Sequence, residues 1–177
     1  MLSIESVIDQ IIEYEGGLTN DPLDMDGPGY TNMGITHKAL AAYLGRSVTD
    51  QDIIALDKET AREIYFILYY KMRSIDTLPE QVQPQVLDIC VNSGPFNAIR
   101  LLQDVLKAAG ESLEIDGVLG SQTRKACASA LLGLGEAKLN NMLVDRRIEF
   151  YRAIVMVHPE QGRFLSGWLN RAERFRQ

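Results

Sequence analysis

The sequence predicts a mainly α protein of α+β type: a helical bundle with one small irregular or β-hairpin segment near the N-terminus. Apolar residues recur at helical spacing over most of the chain, from Leu2, Ile4, Val7, Ile8, Ile11 and Ile12 onward. Glycines and prolines fall mostly between those periodic runs, where they stop helices. Turn residues crowd into one place, the stretch "EYEGGLTNDPLDMDGPGYTNMGIT" of residues 13–36, which also holds five carboxylates. At 177 residues with 46% hydrophobic content, the chain is long enough to bury a core unaided.

The elements follow in order. Residues 2–14 form an amphipathic helix that Gly16-Gly17 ends, because glycine takes the left-handed conformation of a helix terminus without strain. Glu15 then stands at the C-terminal edge of that helix, facing the irregular segment. From Leu18 to Thr36, Pro22, Gly27, Pro28 and Gly29 indicate turns and a small hairpin. Thr36 caps a helix "HKALAAYL" that ends at Gly45, and "TDQD" opens a short turn with an N-cap followed by an acid at the third helical position. Asp57 caps the helix "KETAREIYFILYYKMR", whose "YFILYY" is apolar almost all round and belongs to the core. "PEQVQPQVLDICVNSGP" is a buried helix with Pro84 in its first turn or at a kink. A helix ending at Gly110, the tight loop "EIDGVLGS", and helices over 122–132, 136–157 and 160–176 complete the chain. In that loop Asp116-Gly117 makes the turn and Ser121 caps the next helix. No Gly/Ser or Pro-rich linker divides the sequence, and no internal repeat is visible.

Net charge is −6, unevenly spread. Residues 1–60 hold 11 acids against 3 bases, whereas residues 146–177 hold 7 arginines against 3 glutamates. The acidic balance speaks against nucleic acid as a partner, while the arginine-rich end is either a set of solvated helix faces or a surface for an anionic polymer. Cys90 and Cys127 lie in apolar helical runs and read as buried thiols; neither has a second ligand at metal-site spacing. The opening "MLSIESVIDQIIEYE" lacks the basic n-region of a secretory signal, and no apolar run approaches membrane-spanning length. The expected location is cytoplasmic.

The acidic stretch admits three readings: a solvated surface, a metal loop, or carboxylates held in two protonation states. "DPLDMDGPGY" spaces Asp24 and Asp26 ahead of a glycine as calcium loops do, but lacks their distal bidentate glutamate. Glycoside cleavage needs one acid to protonate the leaving oxygen and a carboxylate across from it to activate water or attack. Glu15 suits the acid, because it ends an apolar helix where burial and the helix dipole both favour its protonated form. Asp24, in the turn-rich loop, suits the second carboxylate, with Asp26 behind it. Tyr30, Asn32, Tyr65, Tyr69 and Asn92 are candidate cleft liners, with helix packing or capping as the alternative reading for the tyrosines and Asn92. Trp168 is assigned to core packing on the terminal helix.

"EGGLTNDPLD…TNMGIT" resembles the signature of the glycoside hydrolase family 108 muramidases, phage and prophage endolysins of lysozyme-like fold. "LDICVNSGPFNAIRLLQDVL" resembles that family's central segment, "EIDGVLGSQTRKA" the accompanying peptidoglycan-binding element, and "FLSGWLNRAERF" its C-terminal helix. Four matches in the expected order cover nearly the whole chain. The resemblance implies that Glu15 is the general acid, with Asp24 and Thr31 positioning or activating water. This chain carries two extra residues within the family pattern "D-P-G-G-x-T-N", so Asp24 aligns when counted from Glu15 and Asp26 when counted from Thr31. Tyr30, Asn32, Tyr69 and Asn92 are the substrate-binding candidates, and no metal or cofactor is implied.

The implied organisation is a catalytic region over residues 1–92 and a peptidoglycan-binding-like helical region over 93–177, packed as one compact unit. The implied function is hydrolysis of the β-1,4 bond between N-acetylmuramic acid and N-acetylglucosamine by a monomer. Without a signal sequence, such an enzyme needs a holin or another export system to reach the wall. The alternatives are a lytic transglycosylase, which needs only the acid, and a non-lytic peptidoglycan-binding or secretion-assisting protein.

Overall fold

The computed structural model describes residues 2–20 and 29–177, so Asp24 and Asp26 lie outside the described residues. The chain divides into two compact units, residues 1–75 and 76–177. Among the described residues the structure is mainly helical, with one two-stranded antiparallel sheet near the N-terminus.

The first unit begins with α1 (Ile4–Glu15), whose Ser3 side chain accepts from the Ser6 N–H and whose Val7, Ile8, Ile11 and Ile12 form the buried stripe. Strands β1 (Thr19–Asn20) and β2 (Tyr30–Thr31) pair Thr19 with Thr31 and Asn20 with Tyr30. Helix α2 (His37–Leu44) is capped by Thr36, which accepts from Ala39 N–H, and ends at Gly45 in the left-handed region (φ +65°). Helix α3 (Asp50–Ile54) carries a full capping box between Thr49 and Asp52, and α4 (Lys58–Ile64) is capped by Asp57, all at the positions read from the sequence. Arg62 on α4 donates to Asp9 on α1 at 2.6 Å, holding these helices together at their solvent edge.

The apolar run "YFILYYK" departs from expectation. Tyr65–Lys71 is a π-helix, in continuity with α4 and closed by Met72 N–H bonding to the Ile67 carbonyl. The wider turn buries Tyr65 and Tyr70 and leaves Tyr69 half-buried against Tyr65, ring centroids 5.3 Å apart. Such turns are rare and gather at functional sites.

The second unit packs α5 (Gln83–Ser93), α6 (Pro95–Ala108), α7 (Ser121–Leu134), α8 (Glu136–Val157) and α9 (Gly162–Glu173). Pro84 sits in the first turn of α5, as expected, where its missing N–H costs no helical bond. Helix α5 is buried nearly all round: Pro84, Val86, Leu87, Ile89 and Cys90 pack in the core, and Asp88 lies among them at 3% exposure. Asp88 is met by two arginines, Arg147 Nη2 at 2.5 Å and Arg171 Nε at 2.9 Å, both themselves buried. Arg147 also donates to the Tyr151 hydroxyl at 2.7 Å and lies over the rings of Tyr151 and Phe175. Trp168 packs on Tyr151 and Phe164 within this unit. Cys90 and Cys127 are buried and not joined in a disulfide, and desolvation pushes the Cys127 thiol up to about 12.

The loop "DGVLG" differs in one detail from its sequence reading. Gly120, not Ser121, is the N-cap of α7, and no side chain caps that end. The loop is held instead by Gln103 of α6, which is 1% exposed. Its Nε2 donates to Asp116 Oδ1 (2.7 Å), Thr123 Oγ1 (3.0 Å) and the Val118 carbonyl (3.1 Å), and its Oε1 accepts from Gly117 N–H (2.8 Å).

Candidate active site

Glu15 is the last residue of α1, and Gly16 follows at φ +77°, so the chain turns away immediately after it. The carboxylate is on an exposed residue, not in the desolvated position that the sequence suggested. Its carbon stem is nevertheless held closely. A Cβ placed on Gly34 would lie 2.8 Å from Glu15 Cγ and 3.0 Å from its Cβ, and 2.5 Å from the Tyr65 hydroxyl. Only a glycine leaves room for both side chains against this turn.

The turn itself is Asn32-Met33-Gly34-Ile35. Asn32 and Ile35 exchange backbone hydrogen bonds (2.9 and 3.2 Å), and both central residues have positive φ, +52° for Met33 and +74° for Gly34. That is the mirror-image geometry of tight hairpin turns, and methionine adopts it at some cost. Two side chains hold it there. The Tyr65 hydroxyl donates to the Met33 carbonyl at 3.0 Å, and Asn32 Nδ2 donates to the carbonyls of Ile53 (3.1 Å) and Leu56 (3.3 Å). "NMGI" is therefore one tight turn, fastened to α3 on one side and to the π-helix on the other, with Glu15 resting on its glycine.

Beside this turn, Thr31 and Thr19 face each other across the two strands with their hydroxyl oxygens 2.7 Å apart. Either oxygen can donate, so Thr31 has a hydroxyl already engaged but not buried. Tyr30 is half-buried on the same strand. The β1–β2 pair brackets the segment carrying Asp24 and Asp26. Gly29 lies against His37, whose ring is 3.1 Å from where a Cβ would be and whose Nε2 meets Asp50 Oδ1 at 2.9 Å.

The first unit thus contains Glu15, Tyr30, Thr31, Asn32 and Tyr69. Asn32, expected to read sugar groups, is 8% exposed with its amide nitrogen committed to two carbonyls. Its place in the motif is explained by that tether. Asn92 belongs to the second unit, in the last turn of α5, where its Oδ1 accepts from the Tyr151 hydroxyl and from Ser93 Oγ. Two residues that sequence reasoning missed are Gly34 and Tyr65 in its tethering role. The only signal for either is "MG" before an isoleucine that pairs back, a turn dipeptide contained within the longer "TNMGIT" motif.

Residues 8–94 match the family described as "Glycosyl hydrolase 108", and residues 97–173 match a "Predicted Peptidoglycan domain". The structure of Brucella abortus SagA is similar at 29% identity, with a TM-score of 0.69 over 97% of this chain and 94% of that one. No curated protein is significantly similar to the chain. The mainly α, lysozyme-like fold and its two matched regions define a glycosidase that acts on peptidoglycan. Residues 8–94, which contain Glu15, Thr31 and Gly34, thus carry the glycosyl hydrolase 108 region, and the peptidoglycan domain follows it.

Proposed function

We propose that the chain is an endolysin-type N-acetylmuramidase, cleaving the β-1,4 bond between N-acetylmuramic acid and N-acetylglucosamine. Glu15 protonates the glycosidic oxygen. Asp24, or Asp26 in its place, activates the attacking water, and Thr31 positions that water through its hydroxyl. Tyr30 and Tyr69 offer half-buried rings to sugar faces. The observation that carries this reading is the seating of Glu15 on Gly34, in a turn that Tyr65 and Asn32 hold in an otherwise unfavourable conformation. A scaffold that fixes the stem of one exposed carboxylate suits a group whose proton must meet a leaving oxygen at a set place. Carboxyl groups about 6.5–9.5 Å apart would make the enzyme inverting.

The test is Glu15→Gln. It should abolish release of reducing ends from purified peptidoglycan while leaving the melting temperature unchanged, and near-normal lysis by this variant refutes the assignment. Asp24→Asn and Asp26→Asn assayed alongside identify the base. Anhydro-muropeptides among the products would make the chain a lytic transglycosylase instead. Delivery by a holin or another export system belongs to the same reading, and lysis from within by the chain expressed alone would remove it.

A further inference from the structure

The second unit contains a pocket of about 180 Å³ whose walls come from α6, α8 and the loop before "DGVLG". It is lined by Asn97, Arg100, Leu101 and Asp104 on α6 and by Arg146 and Phe150 on α8. This volume is below the roughly 300–1,000 Å³ of pockets that enclose drug-sized ligands, so a disaccharide does not fit inside while one amino-acid residue does.

Its charges are not equivalent. Arg146 Nε donates to Asp104 Oδ2 at 2.5 Å, and its Nη1 lies 3.5 Å from Glu149 Oε2, so that cation is answered from within the unit. Arg100 has no carboxylate partner among the described residues. Its guanidinium lies over the Phe96 ring, 5.5 Å from the centroid. The pair is held from behind by the "DGVLG" loop: a Cβ on Gly117 would stand 2.4 Å from the Phe96 ring and 3.2 Å from Arg100 Cγ. Glycine at φ +73° lets the loop press on Phe96 and the Arg100 stem together, which fixes a guanidinium that would otherwise sample many rotamers. Asn97 spends its Nδ2 on the Ser93 carbonyl at 2.8 Å, which leaves Oδ1 as an acceptor. Leu101 and Phe150 supply apolar wall.

We propose that this pocket binds the C-terminal residue of a peptide, with its terminal carboxylate on Arg100, its own peptide N–H on Asn97 Oδ1 and its side chain against Leu101 and Phe150. Guanidinium and carboxylate meet in a planar, two-bond geometry, and the pre-placed arginine suits it. Under the peptidoglycan reading proposed above, on which this inference rests, the source is the stem peptide of the wall. The second unit then grips the peptide while the first acts on the glycan.

The experiment titrates the full chain with the synthetic stem pentapeptide L-alanyl-γ-D-glutamyl-L-lysyl-D-alanyl-D-alanine, with its C-terminal amide, and with an N-acetylglucosaminyl disaccharide. The acid should bind about tenfold or more tightly than the amide, and Arg100→Ala should lose about the same factor while Arg100→Lys loses less. Arg100 is exposed, so these variants should melt with the parent chain. Equal binding of acid and amide, unchanged binding by Arg100→Ala, or binding of the disaccharide alone overturns the proposal. A generic C-terminal dipeptide binding as well as the stem peptide would show that any peptide carboxylate serves and would overturn the wall source. Failure here is separable from failure of the muramidase reading. Release of reducing ends by the parent chain with no peptide binding sinks only this pocket, whereas peptide binding with no release of reducing ends sinks only the glycosidase assignment.

Discussion

Replacing Gly34 with alanine should damage the site through two separate costs. Alanine at φ +74° takes a conformation that costs an L-residue about 1–2 kcal/mol. The new methyl would also stand 2.5 Å from the Tyr65 hydroxyl and 2.8 Å from Glu15 Cγ, so both must move. Displacing the Tyr65 hydroxyl loses its bond to the Met33 carbonyl, about 1 kcal/mol, and overpacking of this kind typically adds about 1–3 kcal/mol. A loss of about 4 kcal/mol in total would lower the melting temperature by about 8–16 °C for a chain of this size. Gly45→Ala isolates the first cost, because Gly45 has φ +65° but nothing within 4 Å of its would-be Cβ. That control should lose only about 1–2 kcal/mol and keep full activity. Thermal melts and reducing-end release from peptidoglycan, measured on both variants, decide the matter. If Gly34→Ala melts and hydrolyses like Gly45→Ala, the close packing of Glu15 and Tyr65 on the turn is not what fixes the acid.

Two further outcomes are expected. Gln103→Leu keeps the volume of that side chain but removes its bonds to Asp116, Val118, Thr123 and Gly117; it should cost about 3 kcal/mol, read by urea denaturation, and a loss under about 1 kcal/mol would mean the loop holds itself. Acid should destabilise the fold through Asp9, Asp52, Asp57 and Asp116. Their carboxyls are held below the usual 3.8, Asp9 by the Arg62 hydrogen bond, Asp52 by Arg46, Asp57 by the Thr60 N–H and Asp116 by the Val118 N–H. A lowered folded pKa contributes stability that is complete above 3.8 and is lost as pH falls through the folded values, so melting temperature should be flat from pH 7 to about 5 and fall below about 4. A melting temperature that stays constant down to pH 2 would contradict it.

Much of the fold was legible because local chemistry specifies it. Thr36, Thr49 and Asp57 cap helices where their spacing to the following N–H groups says they must, and α8 runs over Glu136–Val157 between a glycine and His158-Pro159 as its periodicity indicates. What escaped were contacts between residues far apart in sequence. "LLQ" and "DGVLG" read as two motifs, yet Gln103 makes them one hydrogen-bonded cluster. Asn32 looked like a sugar-reading amide, and its partners Ile53 and Leu56 are backbone groups that no residue pattern announces. The π-helix at Tyr65–Lys71 also left no signature, since an apolar run satisfies either helical period. The partners of the arginine-rich end were also not legible. Arg147 and Arg171 are buried on Asp88, Arg146 is paired with Asp104, and Arg176 is paired with Glu173 and Asp145. Four of its seven arginines are thus answered by acids inside the unit.

The Asp88 cluster bears on the order in which the chain acquires its structure. Asp88 leaves the ribosome long before Arg147, and Arg147 before Arg171, which lies 83 positions after its partner. A buried carboxylate lacking its cations is destabilising by about 3–5 kcal/mol, a large part of a typical domain's stability. Helix α5 therefore cannot settle into its final surroundings while the later helices are still being synthesised. Translation must deliver α9 before the second unit locks, and until then Asp88 keeps its water, so the unit assembles late and all at once.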